Sequence, residues 1–312
     1  MRYLLQIDSN HLTILFLIIT VCFVLILVYT FKIRKVYRNM VKIYEEKTKE
    51  IVTQKKEIEN NLKKAIQNNE IMIYLQPKVN TQTEQVESAE ALVRWQHPEK
   101  GFLSPKDFIP LLEKHGIITQ LDNYVLEKVC QLQKKWKSQG YTELPIAVNE
   151  SRKHLYDPYH FLFLKELLEK YQIPARLIEL EMTENTVVHN IEVAKQAERN
   201  VHALGFIVSM DDFGTGYSSF SMLKDIQIDI LKIDKSFFEE ITNNKKGRDI
   251  IESIIDMTKK LQIKTVAEGI ENQEQVDYLK QIGCDYIQGY YFSPPVPIEV
   301  FEQKYCVVKE EH

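Results

Sequence analysis

Cysteine is scarce and scattered. Cys22, Cys130, Cys284 and Cys306 are four in 312 residues, and no two form a CxxC pair. That spacing argues against a disulfide framework or a zinc knuckle and suits thiols in a reducing compartment. Glycine and proline are also few, at 10 each, which excludes collagen-like and low-complexity chains. The eight histidines include no HExxH, so that zinc hydrolase pattern is missing. There is no GxxxxGK(S/T) loop and no GxSxG elbow, which removes P-loop nucleotide hydrolysis and the usual serine hydrolase chemistry. A hydrophobic content of 44% excludes a wholly disordered chain.

The net charge of −4 hides an uneven distribution. Residues 32–65 carry 11 Lys/Arg against five Glu, whereas residues 66–312 carry 28 basic and 38 acidic residues. The acidic globular part is a poor match for polymeric nucleic acid, because duplex binding relies on Lys and Arg neutralising phosphates. Leu12 to Phe31 is a 20-residue run without a charge. It is long enough to cross ~30 Å of hydrocarbon as a helix. Lys32, Arg34, Lys35 and Arg38 follow it, where a cleaved signal peptide would have a small-residue site. By the positive-inside rule this cluster outweighs Arg2. Residues 1–11 are therefore expected to be a short extracytoplasmic tail, residues 12–31 a transmembrane helix, and all that follows cytoplasmic.

Residues 32–56 predict a charged helical connector. Ile33, Tyr37, Met40, Tyr44, Ile51 and Ile58 follow a heptad-like spacing that Lys47 and Gln54 interrupt. A short dimerising coiled coil and a solvated single helix are both compatible with it. The basic start also suits anionic lipid.

From about residue 66 the periodicity changes. Strand-like runs occur at 71–79, 86–95, 144–149, 177–182, 206–210, 228–233, 263–267 and 286–287, and helical patterns at 121–137, 159–171, 187–204, 247–261 and 273–282. This alternation predicts βα units around a parallel sheet. Residues 57–307 have the size of one (β/α)8 barrel, so the two-domain prior of ~150 residues each gives way to anchor, connector and a single barrel.

Strand runs end in polar groups: Asn149, Glu181 with Glu184, Asp211 with Asp212, Lys232 with Asp234, Glu268 with Glu271, and Gln288, with Glu90 and Arg94 near the start. One acidic residue after a strand is commonly a helix cap. Six or more at successive strand ends predict an active site, because barrel sites gather at the C-terminal ends of strands. Adjacent Asp211 and Asp212 repel unless a cation neutralises them. Oxygen ligands suit Mg²⁺ or Mn²⁺. An acidic, metal-rich cup with Lys232 and Arg94 suits a phosphate ester.

These residues fall in motifs that resemble the EAL family of cyclic-di-GMP phosphodiesterases. Glu90-Ala91-Leu92 matches the naming motif within EALVRWQHP; VNES, ELEMTE, DDFGTGYSS, LKID, AEGIE and QGYYFS follow in order through residue 293. The resemblance covers roughly residues 57–307, leaving 308–312 as a tail. It implies a TIM-like (β/α)8 barrel with an irregular first strand. YLQP around Gln76 and Pro294 after FS depart from the commoner pattern without removing a proposed ligand. No GGDEF-type cyclase motif is present, so synthesis is not expected.

The resemblance also implies roles. Glu90, Asn149, Glu181 and Asp211 would hold one metal; Asp211 would bridge to a second, completed by Asp212 and Glu268. Lys232, with Glu268 and Glu90 around it, would position or deprotonate the attacking water, a role suited to a lysine depressed by nearby cations. Gln76, Arg94, Leu92 and Asp212 would meet the substrate, while Gln288 and Glu271 would support the shell. Glu184 would hold the loop bearing Gly214 and Gly216, with Thr215, Ser218 and Ser219 available as caps. The implied activity is two-metal hydrolysis of cyclic-di-GMP to linear 5'-pGpG by a homodimer at the inner face of a bacterial cytoplasmic membrane. The alternatives are a non-hydrolytic receptor for the dinucleotide and a membrane-tethered interaction protein.

Overall fold

The computed structural model describes residues 9–184, 191–214, 220–238 and 245–308. The chain divides into two compact units, Met1–Asn61 and Leu62–His312. Helix α1, Ser9–Gln67, supplies the first unit and ends within the second. It contains no Gly or Pro, so nothing in its sequence breaks the backbone ladder. The expected boundaries at 31/32 and 56/57 therefore fall inside one continuous helix. Its apolar side chains from Ile14 to Phe31 are exposed. Among the described residues it is the one helix long and apolar enough to cross a membrane.

The second unit is built on strands β1 (Ile71–Asn80), β2 (Val86–His97), β3 (Gly101–Leu103), β4 (Ile146–Asn149), β5 (Ile178–Thr183), β6 (Ile207–Phe213), β7 (Ile230–Ile233), β8 (Lys264–Glu268), β9 (Tyr286–Gln288) and β10 (Val296–Pro297). β2 and β4 through β9 pair in parallel succession. β1 pairs antiparallel with both β2 and β9, and so closes an eight-stranded barrel. β3 and β10 are antiparallel additions to β2 and β1. The TIM-like barrel with an irregular first strand is thus present.

The inversion of β1 has a local cause. Only a short turn separates it from β2, whereas a parallel partner needs a crossover of a dozen residues or more. Asn80 Oδ1 builds that turn by accepting from the amides of Gln82 and Thr83, and Glu84 takes a left-handed φ of 57°.

Helices α2 (Pro105–His115), α3 (Ile118–Ser138), α4 (His160–Tyr171), α5 (Ile191–Leu204), α6 (Phe220–Asp225), α7 (Lys245–Leu261), α8 (Gln273–Ile282) and α9 (Ile298–Tyr305) follow. Of the expected helix 187–204, residues 187–190 lie outside those described. α2 was not among the expected helices, although Ser104 and Asp107 form a reciprocal capping box around Pro105.

Strand alternation sorts the side chains. Val208, Met210, Leu231, Ile233, Ala267 and Ile287 face outward into an apolar cluster with Ala194 of α5, Ile251, Ile254 and Ile255 of α7, and Leu279 of α8. Inward, Ile230, Val266 and Tyr286, with Ile207 against them, close one end of the barrel. The next inward positions on the same strands are Ser209, Lys232, Glu268 and Gln288, so the apolar floor gives way to a polar mouth.

Candidate active site

Lys232, on β7, is the hub of that mouth. Its side chain is 1% exposed, and Nζ lies 3.3 Å from Glu90 Oε2, 3.0 Å from Glu181 Oε2, 3.2 Å from Asp211 Oδ1 and 2.9 Å from Glu268 Oε1. Four strands thus aim one carboxylate each at a single ammonium. Each is an inward position, and parallel register places Glu181 beside Asn149 and Glu268 beside Gln288. Asn149 Nδ2 donates to Glu90 Oε1 at 2.8 Å, and Gln288 Nε2 donates to Glu90 Oε2 at 2.6 Å.

The strand ends carry a second grouping. Asp211, Asp212 and Glu268 each present an oxygen within 4.8 Å of the others. Asp212 takes a left-handed φ of 56°, and the register of β6 on β7 shifts between Met210 and Phe213. That kink brings two consecutive carboxylates, which a regular strand would send to opposite faces, to one mouth. The Asp212 amide donates to Asp211 Oδ1 at 2.9 Å.

Charge crowding sets the proton affinities. Burial, then repulsion from Asp211 and Glu90, pushes Glu268 up to about 8 despite the attraction of Lys232. Burial and the Asp211 charge raise Asp212 as well. Burial alone would lower Lys232, but carboxylates, Glu181 foremost, hold it well above the ordinary lysine range. In the cation-free site the side chains that surround its ammonium are anionic; the expected depression by bound cations concerns the loaded site.

The donor set is all oxygen apart from Lys232, and one buried acceptor, Gln288 Oε1, has no hydrogen-bond partner. Hard divalent cations fit such a set. Glu90, Asn149, Glu181 and Asp211 could hold one ion, and Asp211, Asp212 and Glu268 another.

A family model described as the EAL domain matches residues 59–295. The chain belongs to the EAL domain family. Over 242 residues it is 37% identical to the signaling protein YkoW of Bacillus subtilis, covering 78% of this chain and 30% of that protein. Over 266 residues it is 35% identical to the cyclic di-GMP phosphodiesterase NbdA of Pseudomonas aeruginosa, covering 85% and 34%. The chain therefore spans about a third of the length of these relatives. The solved complex of the PaMucR phosphodiesterase with c-di-GMP superposes with a TM-score of 0.74 at 31% identity, covering 78% of this chain and 99% of that one.

Within this EAL domain the remaining expected residues fall into three groups. Gln76 joins the cluster: its Oε1 accepts from Gln288 at 3.1 Å and its Nε2 donates to Ser293 O at 3.2 Å. Leu92 and Arg94 share the Glu90 face of β2 farther toward the mouth; Arg94 stacks over Tyr74 at 5.6 Å and donates to Val93 O. Glu184 Oε2 accepts from the Gly214 amide at 3.0 Å, so β5 and the end of β6 are tied together. Gly214 has a φ of 97°, and a Cβ there would collide with the Phe237 ring. Gly216, Thr215, Ser218 and Ser219 lie outside the described residues.

Two of the strand-end acids stand apart. The Glu271 side chain is exposed just before α8, and the structure does not bring it to the cluster; its backbone amide donates to Gln275 Oε1. Asp234 caps a short helical turn by accepting from the Ser236 amide at 2.9 Å.

Two buried charges beside the hub escaped sequence reasoning. Lys78 Nζ on β1 lies 2.8 Å from Glu179 Oε1 and 2.9 Å from Glu181 Oε1. Strand alternation held the signal, since Lys78 shares the face of Gln76 and Glu179 that of Glu181.

Proposed function

We propose that this chain is a metal-dependent hydrolase that opens cyclic-di-GMP to linear 5'-pGpG. The observation that carries this reading is the Lys232 ammonium ringed by four carboxylates at the barrel mouth. The ligand sets described above would hold two Mg²⁺ or Mn²⁺ ions, which supply Lewis-acid polarisation of the phosphoryl group and an activated water. Relatives named as cyclic di-GMP phosphodiesterases support the choice of substrate.

The chain's own residues have distinct tasks in this reading. Lys232 reaches into the mouth, where it would orient the attacking oxygen by N–H donation or take its proton. Glu268 Oε1, 2.9 Å from the Lys232 ammonium, would join Asp211 and Asp212 in holding a cation. Gln288 and Asn149 fix Glu90 from two sides and hold its carboxylate toward the mouth. Arg94, with Leu92 and Gln76, lines the side where an anionic dinucleotide would lie. Glu184 steadies the peptide that follows Asp212.

The membrane reading rests on the apolar run of α1 and the basic residues after it. It places residues 12–31 in the bilayer of a bacterial cytoplasmic membrane, residues 1–11 outside, and the EAL domain inside. The exposed stripe Ile33, Tyr37, Met40, Tyr44 and Ile51 on α1 supports a homodimer.

The test is incubation of the full-length protein in detergent with cyclic-di-GMP and Mg²⁺ or Mn²⁺, followed by product analysis. Linear dinucleotide that depends on the cation is expected. Binding of cyclic-di-GMP with no cleavage at any cation concentration would replace this reading with that of a receptor.

A further inference from the structure

Lys78 and Glu179 take no direct part in the chemistry proposed above. Both are 0% exposed, and they lie inside the barrel beneath the carboxylate mouth. Lys78 Nζ donates twice, to Glu179 Oε1 at 2.8 Å and to Glu181 Oε1 at 2.9 Å. Glu181 Oε2 takes the Lys232 ammonium at 3.0 Å. Glu181 is therefore gripped at each oxygen by a different lysine, one from β1 and one from β7. Glu179 is treated differently: its Oε2 is buried with no hydrogen-bond partner. One lysine would balance one buried glutamate. The second bond, to Glu181, reaches beyond that balance into the mouth.

We infer that Lys78 is a positioning residue for divalent-cation binding: by holding Glu181 Oε1 beneath the mouth it fixes the rotation of the carboxylate, so that Oε2, shared with Lys232, is the one oxygen that would be offered to a cation. The inference rests on the cation-dependent reading of the site. A terminal carboxylate rotates through a broad, soft well about its last torsion, so an untethered Glu181 has no fixed choice between one and two coordinating oxygens. Mg²⁺ and similar ions demand near-octahedral geometry, which single-oxygen carboxylates satisfy best. Hydrogen-bonding partners of ligating carboxylates set that choice from outside the coordination sphere.

A rival role is neutralisation, in which Lys78 exists only to balance Glu179. The two roles separate because Glu179 stands below the mouth and Glu181 within it. Lys78→Met alone leaves two buried carboxylates short of a cation and risks unfolding. Lys78→Met/Glu179→Gln removes the lower pair together and keeps that charge balance.

The experiment measures Mn²⁺ binding to the full-length protein in detergent by calorimetry and by electron paramagnetic resonance. Wild type, Glu179→Gln, Lys78→Met and the double variant are compared, with thermal melts to verify folding. Glu179→Gln is expected to bind Mn²⁺ within a few-fold of wild type, because the Lys78–Glu181 bond survives. The double variant is expected to bind roughly 10- to 100-fold more weakly, with an altered resonance spectrum, as when an outer partner of a ligand is lost. A folded double variant that binds as tightly as wild type, while wild type cleaves the dinucleotide, overturns the inference and leaves the function standing. Equal weakening in Glu179→Gln also overturns it, since the lower pair would then act as one unit. Wild type that takes up no Mn²⁺ overturns the cation-dependent reading, and this inference with it.

Discussion

Asn149 and Glu90 meet across 59 positions of sequence, the amide Nδ2 donating to carboxylate Oε1 at 2.8 Å. The bond joins neighbouring parallel strands at the mouth and leaves Glu90 Oε2 to Gln288 and Lys232. Glu90→Gln keeps this shape and removes the negative charge. The fold should survive, because Lys232 retains three carboxylates. Hydrolysis should fall by on the order of 100-fold or more, as when a charge-stabilising group is deleted from an active site. Rates against Mn²⁺ concentration, with circular dichroism as the control, decide it. Full activity in the variant would remove Glu90 from the proposed machinery.

Lys232→Ala leaves four carboxylates facing one another without their shared counter-ion. Breaking a buried charge pair by removing one partner costs roughly 3–5 kcal/mol. The cation-free variant should therefore melt well below wild type. Mn²⁺ should restore it more than it stabilises wild type, because the carboxylates remain to bind it. The rate should stay low even when Mn²⁺ saturates. Thermal melts with and without Mn²⁺ test the first two statements; a variant that Mn²⁺ fails to stabilise would contradict the ligand assignment.

Glu268 gives the site a pH signature. Its carboxyl is raised from 4.5 to about 8 in the fold. Stability from this group in the cation-free protein is fully present below 4.5 and is lost as pH rises through about 8, since the unfolded chain then binds fewer protons. Near pH 7 the group is largely protonated, so Mn²⁺ uptake should release about one proton. Calorimetry in buffers of different ionisation enthalpy reads that number, and Glu268→Gln should abolish it.

His202, remote from the mouth, supplies an independent pH effect. Its Nε2 pairs with Asp229 Oδ2 at 2.8 Å and its Nδ1 with Glu198. The hydrogen bond to Asp229, ahead of burial that opposes it, raises His202 above 6.5. The contribution is fully present below 6.5 and is lost as pH rises through the folded value. His202→Gln should cost about 1 kcal/mol at pH 5.5, a modest figure for a partly exposed pair, and clearly less at pH 8.5. Denaturant unfolding at the two pH values measures the difference; an equal loss at both would show that the charge is not involved.

The fold was legible because the barrel strands alternate so regularly. Each expected strand coincides with an observed one to within a few residues, and the acids at their ends converge as barrel geometry requires. What escaped was mostly decided by contact rather than by period. β3 and β10 are short pairings that extend the edges of β2 and β1 beyond β4 and β9, and neither has a pattern of its own. α2 is short, yet Ser104, Pro105 and Asp107 marked its start. A strand-end acid could not be told from a cap by sequence alone: Asp211 joined the cluster, whereas Asp234 capped a turn. Spacing also shows that acids converge but not how many will touch one nitrogen, as four do at Lys232.

The inverted first strand has a mechanical consequence. Ile71, where β1 begins, pairs with Trp95 near the C-terminal end of β2, so the strand starts at the open end of the barrel and runs downward. Gln76 and then Lys78 follow within the same strand, one at the network around Glu90 and the next beneath it. A twist or pull applied to the backbone just ahead of Ile71 would thus enter at the mouth and meet Gln76 and Lys78 within one strand. In an ordinary barrel, whose first strand points the other way, the same force would arrive at the closed floor.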